Sequence, residues 1–285
     1  MKNVTVIIPA YKPDDKLLLT LNELLNIGFE DIVVVNDDSG PEFDKIFNQV
    51  RQISNCTVLN HDVNMGKGAA LKTAMRFVGE TRNECIGVVT ADADGQHLPQ
   101  DILRTAEKMK ESGHIVLGVR EFSNSNVPFR SKVGNLITIG VFRIFLGTKI
   151  SDAQTGLRAF PLNILPELLK ISGDRYEYET NMLVFMSKNK IPFEEVKIST
   201  VYIEGNNSSH FHVVKDSIRI YSLILKYLFS SIAASIVDET AFFIFQNIFY
   251  TVTLIWLIPT TFISDFLARA ISSLVNFLNY LLMSK

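Results

Sequence analysis

The stretch VVTADADGQHLPQD, residues 88–101, runs an apolar segment into two aspartates one residue apart, Asp92 and Asp94, and follows them with Gly95. In an extended backbone, side chains two apart share a face, so these carboxylates sit a few ångströms from each other. They repel unless something positive lies between them. The apolar run before them, CIGVV (85–89), is one of a series of short segments rich in β-branched residues.

Upstream, the series reads VTVII (4–8), a helix from about Asp14, DIVVV (31–35), a helix from about Pro41, CTVL (56–59) and a helix GAALKTAMRFV (68–78). Downstream it continues with a helix from Pro99 and the strand HIVLG (114–118). Apolar strands alternating with helices predict an α/β fold whose mostly parallel sheet is covered by helices on both faces. Such sheets bind ligands beyond the carboxyl ends of their strands. The polar clusters fall at those ends: Pro9 to Lys12, Asn36 to Ser39, His61 to Gly68, and Asp92 to His97.

Past Arg120 the pattern loosens into a polar loop (FSNSNVPFRS), a helix near 132–146, the segment SDAQTGLRAFP, a helix near 177–188, a strand EEVKISTVYI and a second polar loop, EGNNSSHFH. From Val213 the periodicity is amphipathic, with Val214, Ile218, Tyr221 and Leu225 set against Lys215, Asp216, Arg219 and Lys226. That pattern predicts a helix lying at a membrane surface. Tyr227 to about Tyr250 and about Thr261 to Leu282 are each long enough, at roughly 20 residues, to span a bilayer. The expected organisation is therefore a catalytic domain over 1–212, a juxtamembrane helix over 213–226 and a two-span membrane segment over 227–285. Arg219 and Lys226 before the first span and Lys285 after the second place both chain ends in the cytoplasm. Asp238, Glu239 and Arg269 fall within the spans, and pairing of Arg269 with Asp238 or Glu239 would lower the cost of burying them.

The whole chain of 285 residues has a formal net charge of -2 and is 47% hydrophobic, which gives no nucleic-acid footprint. Its two cysteines, Cys56 and Cys85, sit in apolar runs without CxxC spacing and read as ordinary thiols. The N-terminal apolar run is β-branched and reaches Pro9 without a small-residue cleavage site, so it reads as a first strand rather than a signal peptide.

Three readings are open for Asp92 and Asp94. An EF-hand needs glycine at loop position six and glutamate at position twelve, where this chain has His97 and Leu103, so that reading fails. A solvated Asp-Gly turn after a strand is the second. The third is an oxygen-ligand site for Mg²⁺ or Mn²⁺ bridging a bound diphosphate. Two neighbours favour it. Asp37 and Asp38 end the second strand, where a carboxylate can accept a hydrogen bond from a nucleobase ring N–H. NMGKGAALKTA (64–74) opens a helix with two glycines and Lys67, which brings a cation and a helix N-terminus near an anion. It lacks the glycine and the Ser or Thr of a Walker A loop.

Taken together, VIIPAYK, VVVNDDSG, NMGKGAALKTAM, ADADGQH and SDAQTGLRAFP, in this order and spacing, resemble a family 2 glycosyltransferase of the GT-A (Rossmann-like) fold, in the branch of polyprenyl-phosphate hexosyltransferases and dolichyl-phosphate mannose synthase. The resemblance covers about residues 3–212. It implies that Pro9, Tyr11 and Asp37 hold the nucleoside, that Lys67 stands near the nucleotide, and that Asp92, Asp94 and Gln96 gather metal, diphosphate and sugar. It further implies that Arg120, Arg130 and Ser131 face the lipid or donor phosphates, and that Asp152, Gln154 and Arg158 line the acceptor side with Glu179 nearby. Asp152 is left either as an orienting residue or as an optional base.

Two departures stand out. Asp38 occupies the position where the family usually has glycine, and His212 stands where it usually has arginine. The tail resembles half of a GtrA-like membrane domain, since the sequence stops after two spans of the usual four, which favours an anchor or oligomerisation role over translocation. The implied partners are a UDP- or GDP-hexose, with UDP preferred, undecaprenyl or another polyprenyl phosphate, and the membrane; a homo-oligomer is left open. The implied activity is inverting, metal-dependent hexose transfer feeding cell-envelope glycan modification. A catalytically inactive lipid-phosphate-binding or transporter-scaffolding protein is the alternative. A processive polysaccharide synthase usually carries QxxRW and more spans, whereas the single Trp256 lies in LIWLIP.

Overall fold

A computed structural model describes residues 1–120, 135–136, 138–140, 142–143, 146–199, 229, 232–248 and 264–273. The chain divides into two compact units, Met1–Ser217 and Ile218–Lys285.

In the first unit the described strands are β1 (Val4–Ala10), β2 (Ile32–Asn36), β3 (Cys56–Asn60), β4 (Gly87–Thr90), β5 (Ile115–Arg120), β6 (Arg158–Pro161) and β7 (Phe193–Ile198). They form one sheet in the order β3-β2-β1-β4-β6-β5-β7. Every pairing is parallel except those of β6, which runs antiparallel between β4 and β5. β1, β2 and β4 are buried along nearly their whole length, as valine and isoleucine runs covered on both faces must be. The helices are α1 (Lys16–Asn26), α2 (Asp44–Arg51), α3 (Lys67–Thr81), α4 (Pro99–Ser112), α5 (Leu165–Leu169) and α6 (Glu177–Lys188).

Local chemistry fixes where these helices begin and end. α4 starts with Pro99, whose missing N–H costs nothing in the first turn, and stops at Gly113, which adopts φ 68° and returns its N–H to the Met109 carbonyl. α1 turns Leu17, Leu21 and Leu24 onto the sheet, at helical spacing. Truncating one of these fully buried leucines to alanine costs about 2–5 kcal/mol.

The expected strands and helices up to Arg120 are all present, with ends shifted by up to three residues; the helix expected from Pro41 begins as a short 3₁₀ turn and becomes α2 at Asp44. Within the helix expected near 132–146, residues 135–136, 138–140 and 142–143 are helical. β6 is new, as is the short α5. The RAFP segment is only four residues long and carries a charge and a proline, so period-2 patterning has too little to act on.

Strand order reverses between β1 and β4, because the chain moves outward from β1 through β2 to β3 and then returns, by α3, to the other side of β1. A crevice opens at that point on the carboxyl side of the sheet. It is where the loops after β1, β2 and β4 converge.

In the second unit, residues 232–248 and 264–273 are helical. Arg269 pairs with Asp265, one turn earlier in its own helix, at 3.0 Å. The expected pairing with Asp238 or Glu239 is not among the ion pairs of the described residues, although Asp238 lies close enough to act on the Arg269 charge. Among the described residues no helix is long and apolar enough to cross a membrane. The juxtamembrane helix expected over 213–226 lies outside the described residues.

Candidate active site

The crevice holds a cavity of about 410 Å³ lined by the segment from Pro9 to Pro13, by Asp37, Asn64, Gly66, Lys67 and Ala70, by Asp92, Ala93 and Asp94, and by Arg175 and Tyr176. Pro9, Tyr11, Asp37, Lys67, Asp92 and Asp94, six of the residues singled out in the sequence, therefore share one wall system.

β4 ends at Thr90, so Asp92 and Asp94 lie on the turn beyond the strand rather than within it. Gly95 permits that turn with φ 74°. The Asp92 backbone N–H donates to His97 Nδ1 at 3.2 Å, and the Gln96 N–H donates to Asp94 Oδ1 at 3.0 Å.

The positive group between the carboxylates and their surroundings is Lys67. Its Nζ lies 2.7 Å from Asp92 Oδ1 and 3.0 Å from Glu179 Oε2. Burial alone would raise the Asp92 pKa, but the Lys67 ammonium, with help from His97 and Arg158, brings it down to about 2. Asp94 moves the other way: burial and the neighbouring Asp92 charge hold its pKa above the usual carboxylate range. Lys67 is itself raised, because its two carboxylates outweigh its burial. Gly156 gives this arrangement its room. A Cβ there would lie 2.8 Å from Asp92 Oδ2 and 2.9 Å from Lys67 Nζ.

Asp37 lines the same cavity. Its carboxylate accepts the Met65 N–H at 2.9 Å and the Gly66 N–H at 2.8 Å, and Oδ1 lies 2.7 Å from His61 Nδ1. The anion at the N-terminus of α3 is thus the chain's own Asp37. Three of its roughly four acceptor directions are occupied by these partners.

Asp152 is a separate cluster. Its side chain is 0% exposed and grips Arg120 through Nε at 2.6 Å and Nη2 at 3.0 Å. It also accepts the backbone N–H groups of Arg120 at 3.2 Å and Gln154 at 2.9 Å. Four donors thus occupy the carboxylate's acceptor directions. The Gln154 side chain is exposed. Arg158, expected on the acceptor side, is 1% exposed and donates to the carbonyls of Thr155 at 3.2 Å and Glu179 at 2.6 Å. It works from behind the cavity, in the core, where burial lowers its pKa. The Gln96 side chain, Arg120, Asp152, Gln154 and Arg158 do not line the cavity. Arg130 and Ser131, like His212, lie outside the described residues.

Sequence reasoning gave no role to His61 and His97, although both stand in its polar clusters, and did not single out Gly156, Arg175 or Tyr176. A histidine following a motif was the visible signal for His97. For Arg175 there was none, since it reaches the cavity from more than 100 residues beyond Asn64, its partner at 3.3 Å. The thiols behave as expected, with Cys85 buried and Cys56 half-buried and pushed up to about 11 by burial and by Asp31.

A sheet of this order, with two carboxylates on the turn after β4 facing a crevice at the β1–β4 reversal, defines a GT-A glycosyltransferase. The chain belongs to glycosyl transferase family 2, whose sequence model matches residues 5–169. It is 32% identical over 225 residues to the UDP-N-acetylglucosamine–dolichyl-phosphate N-acetylglucosaminyltransferase of Methanococcus voltae, covering 71% of this chain and 87% of that one. It is 28% identical over 212 residues to the undecaprenyl-phosphate mannosyltransferase of Micrococcus luteus, covering 72% and 86%. Glucosyl-3-phosphoglycerate synthase of Mycobacterium tuberculosis, solved with Mn²⁺, UDP and phosphoglyceric acid, shares the fold with a TM-score of 0.55 at 15% identity, over 80% of this chain and 78% of that one.

Proposed function

We propose that this enzyme transfers a hexose, with inversion at the anomeric carbon, from a nucleotide sugar to a polyprenyl phosphate. The observation that carries the reading is the cavity itself, which gathers Asp92, Asp94, Lys67 and Asp37 around one space. The Methanococcus and Micrococcus relatives are named for transfer to dolichyl and undecaprenyl phosphate, which supports a polyprenyl phosphate acceptor. Undecaprenyl phosphate and a UDP-sugar are the substrates we favour, the latter because the more similar of the two relatives is named for a UDP-sugar.

The donor set fits Mg²⁺ or Mn²⁺. Among the described residues no group of three His, Cys, Asp or Glu side chains could hold a metal alone. Two carboxylates completed by substrate phosphates are the usual way Mg²⁺ is bound. Asp94 suits it: Oδ1 accepts only a backbone N–H, and its carboxylate has no cation of its own among the described residues. Asp92 and Asp94 would hold the ion, which when bound neutralises charge developing on the diphosphate leaving group.

The chain's own groups then have defined tasks. Lys67 keeps Asp92 ionised; His97 fixes the turn; Asp37 shapes the nucleoside end and anchors α3. A phosphate monoester, with a second pKa near about 6, is already anionic at pH 7, so the acceptor needs no base. That matches an Asp152 saturated by Arg120 and backbone donors. Holding two anions in line is the main catalytic demand.

A membrane location for residues 227–285, with the catalytic domain cytoplasmic, is part of the proposal. Its support is the inverted distribution of side chains in the second unit. Phe229, Ile232, Ile236, Phe243, Ile244, Ile248 and Phe266 are exposed, while Ala234, Ala241, Ser264 and Ala268 are buried. Small residues between helices and large apolar residues facing out are what lipid favours.

The test is transfer from a panel of labelled nucleotide sugars to undecaprenyl phosphate in membranes containing the protein, with Mn²⁺ or Mg²⁺ and with Asp94→Ala as control. Label entering the lipid phase from one donor, lost with chelator and with Asp94→Ala, supports the reading. Nucleotide binding without transfer from any donor favours a lipid-phosphate-binding scaffold instead.

A further inference from the structure

Residues 173–176, between α5 and α6, cross the N-terminus of α3 as a strap. The Asp174 carbonyl accepts the Ala69 N–H at 2.9 Å, and Lys72 Nζ reaches the Gly173 carbonyl at 2.7 Å and Asp174 Oδ1 at 3.0 Å. From the other side, Glu177 Oε1 accepts the N–H groups of Asp174 and Arg175, each at 3.3 Å. The two glycines of NMGKG serve this strap. A Cβ on Gly66 would lie 2.6 Å from Arg175 Cγ and from the Asp174 carbonyl oxygen; one on Gly68 would lie 2.6 Å from Tyr178 Cβ and 2.9 Å from the Arg175 carbonyl oxygen. The close approach that the sequence suggested for a ligand is made by the chain's own backbone. The result is that Arg175 and Tyr176 are built into the cavity wall.

The charges around that cavity are unevenly committed. Its lining cations are Lys12, Lys67 and Arg175. Lys67 already faces two carboxylates, and Lys12 Nζ lies 5.4 Å from the Tyr11 ring centroid. Arg175 is anchored on a fixed backbone, and its guanidinium meets only the neutral Asn64 Oδ1, at 3.3 Å, among the described residues. A nucleotide sugar brings a polyanionic diphosphate into this space. A guanidinium presents a planar fork that matches phosphate oxygens.

Resting on the glycosyltransferase reading above, we infer that Arg175 binds the donor's diphosphate and that the strap over α3 exists to hold it there.

The experiment is equilibrium binding, by competition against a fluorescent nucleotide, of UDP, GDP, uridine and guanosine to the full chain in detergent with Mn²⁺, comparing wild type, Arg175→Gln and Arg175→Lys. Gln keeps the Cγ that packs on Gly66, so thermal unfolding of this exposed position should not move. For whichever base the wild type accepts, Arg175→Gln should weaken the diphosphate about tenfold and leave the nucleoside within twofold, with Arg175→Lys in between. Unchanged diphosphate binding, or an equal loss for diphosphate and nucleoside, overturns the inference while leaving the glycosyltransferase reading intact. A wild type that binds none of the four overturns both.

Discussion

Lys67 Nζ bridges Asp92 and Glu179, at 2.7 Å and 3.0 Å, with only 14% of the lysine side chain exposed. The pair is buried enough for charge removal to be costly, because the remaining carboxylates lose their counter-ion without regaining water. Lys67→Met should therefore destabilise the catalytic unit by about 3 kcal/mol in urea unfolding at pH 7. Adding Asp92→Asn should restore a good part of that loss. A double variant as unstable as the sum of the singles would mean the two residues are not coupled.

Asp92 and Asp94 make opposite contributions to stability as pH changes. Asp92, lowered to about 2, contributes stability that is full above its unfolded pKa near about 4 and is lost as pH falls from there toward about 2. Asp94, raised by burial and by Asp92, opposes folding once both states are ionised. Asp94→Asn should accordingly gain about 1 kcal/mol at pH 7 while abolishing turnover. Melting curves at pH 7 and pH 5 check the sign: the advantage of the variant should shrink at the lower pH.

Asp152→Asn replaces a carboxylate that holds both prongs of Arg120 with an amide that can accept on one side only. The expected cost is about 3 kcal/mol of stability and a fall in turnover, with residual activity remaining. A pH–rate profile separates positioning from proton abstraction. If Asp152 positions Arg120, the profile keeps its shape in the variant; loss of its acidic limb would identify a base.

His97 supports the Asp92 turn through a single acceptor, Nδ1. Asparagine can place an oxygen close to that atom, whereas leucine cannot. Manganese binding in the presence of UDP, followed by electron paramagnetic resonance, should weaken at least fivefold in His97→Leu and recover most of the way in His97→Asn. Equal behaviour of the two variants would remove His97 from the positioning role.

Asp38 adopts φ 55°, a conformation that favours glycine, at the position where the family resemblance places one. Asp38→Gly should be neutral to stabilising, by up to about 1 kcal/mol, in thermal unfolding. A clear loss of stability would show that the Asp38 side chain has a partner that outweighs its backbone strain.

The sequence by itself determined the layered α/β architecture up to Arg120 and the positions of Asp37, Lys67, Asp92 and Asp94 at its strand ends. Those features depend on local periodicity, on proline and glycine at element ends, and on the rule that parallel strands present their carboxyl ends to one crevice. Only the tertiary structure decided which charges meet there. Lys67 chooses Asp92 and Glu179, Asp37 turns inward to cap α3, Arg158 retreats into the core, and the Asp174–Tyr176 strap brings Arg175 to the cavity. β6 belongs to the same group, since its pairing with β4 and β5 is set by space left in the sheet rather than by its four residues. The physical reason is common to all of them. These contacts join segments tens to about a hundred residues apart, and their partners are selected by packing and charge once the sheet has formed, not by any pattern along the chain.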